Sequence, residues 1–202
     1  KAEFHPCPPA ELRNRSSGLP IAWAPPHPPV LIVPEVLSKE ECAKLIKEFE
    51  TKGALDATSG KQTQPGQSFK VPVYEYDRQD RVDHMVADQQ LLAFIDERLR
   101  SRVFPAIKRA FAFEVSRREN IAIARYVGER SGVEQGHRDN RTGAFHRRFA
   151  LSLSLNDGYE GGGVVFREFS NRGYRLPAGS ALVFSSALLH EVEETTSGVR
   201  FV

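Results

Sequence analysis

No run of about 18 apolar residues occurs in this chain, so no membrane-spanning helix is expected. Its two cysteines, Cys7 and Cys42, are too few for a disulfide framework, which favours a reducing compartment and points to the cytoplasm. An excess of one charge is also missing. The 28 basic and 26 acidic side chains leave +2, so nothing global demands nucleic acid or an acidic membrane as partner. What remains is ordinary for a soluble globular protein: 202 residues, 40% apolar and 27% charged, enough for one domain with a core of its own. The chain starts at Lys1 rather than Met, and a processed form that has lost a signal or an extra domain is one expectation.

Residues 1–34 hold nine of the thirteen prolines. Proline fixes φ and removes a backbone donor, so this stretch is expected to be an extended arm or strap, with Trp23 as a possible anchor. Residues 35–202 form the domain proper. Ser38-Lys39-Glu40-Glu41 has the spacing of a capping box and opens a helix striped by Cys42, Leu45, Ile46 and Phe49, with Gly53 as its stop. The Gly-, Ser-, Thr- and Gln-rich residues 53–72 read as a long loop, either disordered or a lid over a substrate. Asp88 to Ala112 reads as a second helix, kinked or broken at Pro105. Its Arg98, Arg100, Arg102, Lys108 and Arg109, with Arg117 and Arg118 beyond, make a basic patch without interleaved aromatics, which gives nucleic-acid binding little support.

After Asn120 the period changes from helical to alternating. Residues 121–126 alternate, and residues 148–156 alternate most clearly. Phe149, Leu151, Leu153 and Leu155 should face the helices, and Arg148, Ala150, Ser152 and Ser154 should face a cavity. Further strands are expected at 164–166, 180–184 and 199–202. Several short strands after two helices indicate an α+β domain whose β part is a barrel or sandwich.

The chemistry is concentrated between Tyr126 and Arg200. His137 and Asp139 stand at i and i+2, on one face if the backbone is extended, and His190 follows 53 residues after His137. Two imidazoles and a carboxylate can occupy one face of a six-coordinate Fe(II) and leave the other open. The same set can hold Zn²⁺ tetrahedrally with one open position, which leaves Arg200 without a task. An arginine ten residues past His190 can fork onto a carboxylate of a co-substrate. His5 and His27 in the arm, His84 in a charged loop and His146 without a nearby partner are weaker candidates.

Arg125-Tyr126-Val127-Gly128, His137-Arg138-Asp139-Asn140, Leu155-Asn156, Tyr159-Glu160-Gly161-Gly162, Pro177-Ala178-Gly179, His190-Glu191-Val192 and Gly198-Val199-Arg200 resemble, in order and spacing, the Fe(II)/2-oxoglutarate-dependent oxygenases of the prolyl 4-hydroxylase-like branch. The run from His146 to Ala150 is similar to bacterial-type oxygenase domains. The resemblance implies a double-stranded β-helix (jelly-roll, cupin-like) barrel over residues 116–202, supported by helices and a loop in residues 35–115. It implies His137, Asp139 and His190 as iron ligands, with Arg200 and Tyr126 on 2-oxoglutarate. Ser154 stands where some relatives place a tyrosine on the same carboxylate. Asn140 and Arg148 are implied substrate or outer contacts. The expected cofactors are Fe(II), 2-oxoglutarate and O₂, with ascorbate as an accessory reductant. The expected activity is hydroxylation of a C–H bond in a prolyl or peptidyl residue, a free amino acid or a small metabolite. A metal- or dicarboxylate-sensing module without turnover and a nucleic-acid dealkylase are the alternatives. The sequence is silent on oligomeric state.

Overall fold

The computed structural model describes residues 27–52, 81–128 and 134–202. Trp23, Gly53 and the 53–72 loop lie outside them.

Among the described residues, antiparallel strands predominate and helices pack on one side, an α+β arrangement. Helix α1 spans Lys39–Lys52 and begins with the expected capping box. The Glu41 N–H donates to Ser38 Oγ at 3.2 Å, and the Ser38 N–H donates to Glu41 Oε2 at 2.9 Å. Its stripe buries Cys42, Leu45 and Phe49. Asp88 caps α2 (Gln89–Arg98) by accepting from the Leu91 N–H. The helical path continues through a π-turn at Leu99–Val103 into α3 (Phe104–Phe111), so Pro105 does not end the helix. The wider turn, in which the Phe104 N–H reaches back to the Leu99 carbonyl, absorbs the donor that proline lacks.

Three sheets carry the rest. Strands β1 (Val30–Val33), β9 (Ala181–Ser185) and β5 (Phe149–Leu153) form one in the order β1-β9-β5. The last residues of the expected proline-rich arm are therefore a paired strand, because Val30-Leu31-Ile32-Val33 is apolar and, apart from Leu31, β-branched. A second sheet orders β4 (Glu134–His137), β10 (His190–Val192), β7 (Val164–Val165) and β8 (Gly173–Tyr174) as β4-β10-β7-β8. A third orders β2 (Arg81–Met85), β3 (Ala122–Val127), β11 (Thr195–Phe201) and β6 (Tyr159–Gly161) as β2-β3-β11-β6. His84, read from sequence as part of a charged loop, lies in β2 and pairs with Ile123; the high charge of residues 75–85 hides the strand.

The alternation of β9 separates two apolar clusters. Val183 joins the helix-side core with Leu45, Phe49, Ile95, Val103 and Phe201. Leu182 and Phe184 point the other way, to Val164, Phe166 and Val192. On β5, Phe149 packs against Phe111 and Phe113 at ring distances of 5.0 and 5.4 Å, as its face predicts. Leu151, expected on that face too, is 41% exposed, because the helices reach its neighbours and not it. No helix among the described residues is long and apolar enough to cross a membrane.

Candidate functional site

The antiparallel register of β4 and β10 places His137 directly opposite His190, with ring centroids 4.4 Å apart. Asp139 enters from the turn after β4 rather than from the strand itself. That turn is held by one carbonyl: Ser186 O accepts from the Asp139 N–H at 3.0 Å and from the Asn140 N–H at 3.2 Å. The donor atoms of His137, Asp139 and His190 consequently lie within 4.8 Å of one another. His137 Nε2 is 3.5 Å from Asp139 Oδ1, and His190 Nε2 is 3.8 Å from Oδ2.

The chemistry of this donor set suits a metal ion. His190 is 7% exposed and packs against Phe184 with ring centroids 4.7 Å apart. Its Nδ1 faces the Leu188 carbonyl at 3.1 Å, which fixes the proton there and leaves Nε2 as the lone-pair atom. Burial pushes the His190 pKa below the usual imidazole value, outweighing the Leu188 hydrogen bond, so the ring is neutral and can ligate at neutral pH. Burial acts on Asp139 to raise its pKa. The His137 hydrogen bond and the charges of His190, His137 and Arg147 outweigh it and hold the carboxyl below its usual range.

Arg200 is the second component. It is 3% exposed, and its Nε and Nη1 have no hydrogen-bond partner among the described residues. Its guanidinium lies 4.8 Å over the ring of Tyr126, its cross-strand neighbour on β3. Gly162 makes room for it: a Cβ there, at φ +66°, would sit 2.7 Å from Arg200 Cδ. Arg81, opposite Tyr126 from β2, stacks on the same ring at 5.5 Å and pairs with Asp83 at 2.8 Å.

The other candidates are placed as follows. Ser154 is buried, with its backbone bonded to Ser180 and Gly179. Asn140 is half-buried beside Asp139, and Arg148 is exposed. His146 is not partnerless as read from sequence: its Nε2 lies 2.8 Å from Glu119 Oε1. Sequence reasoning also passed over Arg147. It forks onto Glu119, with Nε to Oε1 at 2.8 Å and Nη2 to Oε2 at 2.7 Å, and its Nη1 approaches the Asp139 carbonyl at 3.4 Å. Only the basic run around it hinted at this. The helical basic patch is largely paired within the protein. Arg98 bonds Glu41 at 2.6 Å, Arg118 bonds Asp96 at 2.5 Å and Arg102 donates to the Glu35 carbonyl.

No family model matches the chain. A PKHD-type hydroxylase of Prochlorococcus marinus (strain MIT 9313) is 36% identical over 95 residues, 42% of this chain and 43% of the relative. The chain thus spans less than half the length of this relative. A PKHD-type hydroxylase of Acinetobacter baumannii (strain SDF) is 28% identical over 183 residues, 84% of this chain and 73% of the relative. Among solved structures, the viral collagen prolyl hydroxylase of Paramecium bursaria Chlorella virus-1 with 2-oxoglutarate superposes with a TM-score of 0.59 at 17% identity, covering 85% of this chain and 90% of that one. The prolyl hydroxylase of Trichoplax adhaerens, bound to a hypoxia inducible factor peptide fragment, does so with a TM-score of 0.59 at 17% identity, covering 85% and 80%. The chain is thus similar in sequence to PKHD-type hydroxylases and in fold to prolyl hydroxylases, and it assembles a His/Asp/His cluster with metal-binding spacing.

Proposed function

We propose that this protein is an Fe(II)- and 2-oxoglutarate-dependent dioxygenase that hydroxylates an unactivated C–H bond, with succinate and CO₂ as co-products. Its sheets are read as a double-stranded β-helix, with residues 116–202 as the catalytic barrel. The observation that carries the proposal is a buried arginine without an anionic partner among the described residues, in a chain that also assembles a His/Asp/His cluster. Burying a cation costs several kcal/mol unless an anion meets it, and a dicarboxylate co-substrate supplies that anion.

In this reading His137, Asp139 and His190 would hold Fe(II), two neutral donors and one carboxylate leaving the metal a net positive charge. Bound iron and 2-oxoglutarate supply the oxidising chemistry, coupling O₂ reduction to decarboxylation of the 2-oxo acid. The chain's own residues bind and orient. Arg200 forks onto the far carboxylate, an interaction strengthened by its dry surroundings. Tyr126 braces the guanidinium and lends its hydroxyl to the co-substrate, and Ser154 lines the same pocket. Asn140 and Arg148 border the substrate at the mouth. The substrate class is a peptidyl residue or a small molecule; the peptide held by the Trichoplax relative supports the former. The paired state of much of the basic patch speaks against a nucleic acid.

Anaerobic addition of Fe(II) and 2-oxoglutarate should produce a weak visible charge-transfer band, and admission of air should release succinate. Asp139→Ala should abolish metal binding. Arg200→Met should leave metal binding intact and weaken 2-oxoglutarate binding at least roughly tenfold. Absence of both band and succinate in the wild type overturns the proposal. A band without succinate under any condition favours a sensing module.

A further inference from the structure

Arg200 sits between two residues whose backbones are held by a single side chain. Asn156, just beyond β5, donates from Nδ2 to the Val199 carbonyl at 2.6 Å and accepts at Oδ1 from the Phe201 N–H at 2.8 Å. The Leu155 N–H adds a bond to the Phe201 carbonyl at 3.0 Å. The reason for this arrangement lies in the ladder. Val202 and Ala124 exchange both backbone bonds, at 2.8 and 3.0 Å. In an antiparallel pair such doubly bonded positions recur every second residue, so Arg200 and Tyr126 form the next one, and the backbone groups of Val199 and Phe201 turn away from β3. They turn toward the β6 side of β11, where the pairing with β6 reaches only to Gly198. The amide of Asn156 takes the place of the missing strand. It offers one donor and one acceptor, which is what a carbonyl and an N–H two residues apart require.

We infer that Asn156 is a positioning residue for the co-substrate: it clamps β11 on both sides of Arg200 and so sets where the guanidinium stands. The inference rests on the assignment of Arg200 to the far carboxylate of 2-oxoglutarate. The Asn156 amide is engaged with the β11 backbone through both its donor and its acceptor. Without its amide, the Val199 carbonyl and the Phe201 N–H lose their partners, and the strand is pinned at Arg200 from the β3 side alone.

The test is a double-mutant cycle, with Co(II) in place of Fe(II) and affinities measured by titration calorimetry. Asn156→Ala should weaken 2-oxoglutarate about tenfold in the wild type. In an Arg200→Met background the same change should alter 2-oxoglutarate affinity less than about twofold. Binding of 2-oxobutyrate, which lacks the far carboxylate, should be unaffected, as should Co(II) affinity. Asn156→Gln keeps the amide but displaces it by one methylene, and should show the same selective loss if the alanine variant is poorly folded. Equal losses in both backgrounds, or an equal loss for 2-oxobutyrate, reduce Asn156 to a stabilising residue and overturn the inference. If Arg200→Met alone leaves 2-oxoglutarate affinity unchanged, the Arg200 assignment fails first, and the inference falls with it.

Discussion

Of the four side chains of the candidate site, three are held by contacts that sequence does not display. His190 takes its tautomer from the Leu188 carbonyl, and Asp139 takes its place from Ser186. Arg200 depends on an absence, the missing side chain at Gly162. At φ +66° and with Arg200 Cδ 2.7 Å from where a Cβ would stand, position 162 has no room for alanine. Gly162→Ala should therefore displace Arg200 and weaken 2-oxoglutarate binding about tenfold or more, with a stability loss of about 1–3 kcal/mol from the forced left-handed backbone. Calorimetry and urea unfolding read the two effects. Unchanged 2-oxoglutarate affinity would show that Arg200 can be placed without the glycine. That His137, Asp139 and His190 come together and that Arg200 is buried agrees with the sequence reading, which singled them out because their types suit Fe(II) and a carboxylate. Arg147 was not singled out. Its neighbour Arg148 has the same chemistry, and only the fold shows that Arg147 forks onto Glu119 and reaches the Asp139 carbonyl.

At the scale of elements, helices were the most readable because their signals are local. The Ser38–Glu41 box and the stripe of Cys42, Leu45 and Phe49 form as their spacing implies, and the helix read from Asp88 starts there. Helix α1 turns that stripe into the core so fully that Cys42 is 1% exposed. Burial, with the charge of Glu41 beside it, pushes the thiol pKa up to about 11. In a Cys7→Ser background, the remaining thiol should react with Ellman's reagent at pH 8 only at the rate of unfolding; rapid labelling of the native protein would show that α1 opens locally. Strands were less readable. Strand β2 is charged, and β6 and β8 are three and two residues long, too short to show a period. Leu151 shows that an alternating pattern assigns faces without saying what covers them.

For the molecule as a whole, acid stability is predictable from its pairs. Hydrogen bonds from Arg98 to Glu41, from Arg118 to Asp96 and from Arg147 to Glu119 hold these carboxyls below their ordinary values. A depressed carboxyl stabilises the fold above its unfolded pKa, and that contribution disappears as pH falls through the folded one. His190 is depressed by burial, so the unfolded chain takes up its proton first, and stability is lost as pH falls below about 6.5. The metal-free protein should thus lose melting temperature in two stages, a shallow one below about pH 6.5 and a steep one below about pH 4.5. His190→Gln should remove the first stage only. A melting temperature that rises on acidification would contradict both assignments.

By itself the sequence determined the helices, the longer strands, the His/Asp/His trio that could hold a metal and the presence of an arginine suited to a dicarboxylate. Residue chemistry and short-range spacing are written along the chain. Tertiary structure decided the rest: that His137 stands opposite His190, that Arg200 is buried beside Tyr126, and that Asn156 closes the gap beside β11. These depend on strand register and on contacts between residues more than 40 positions apart, and no local pattern encodes which distant backbone a side chain will meet.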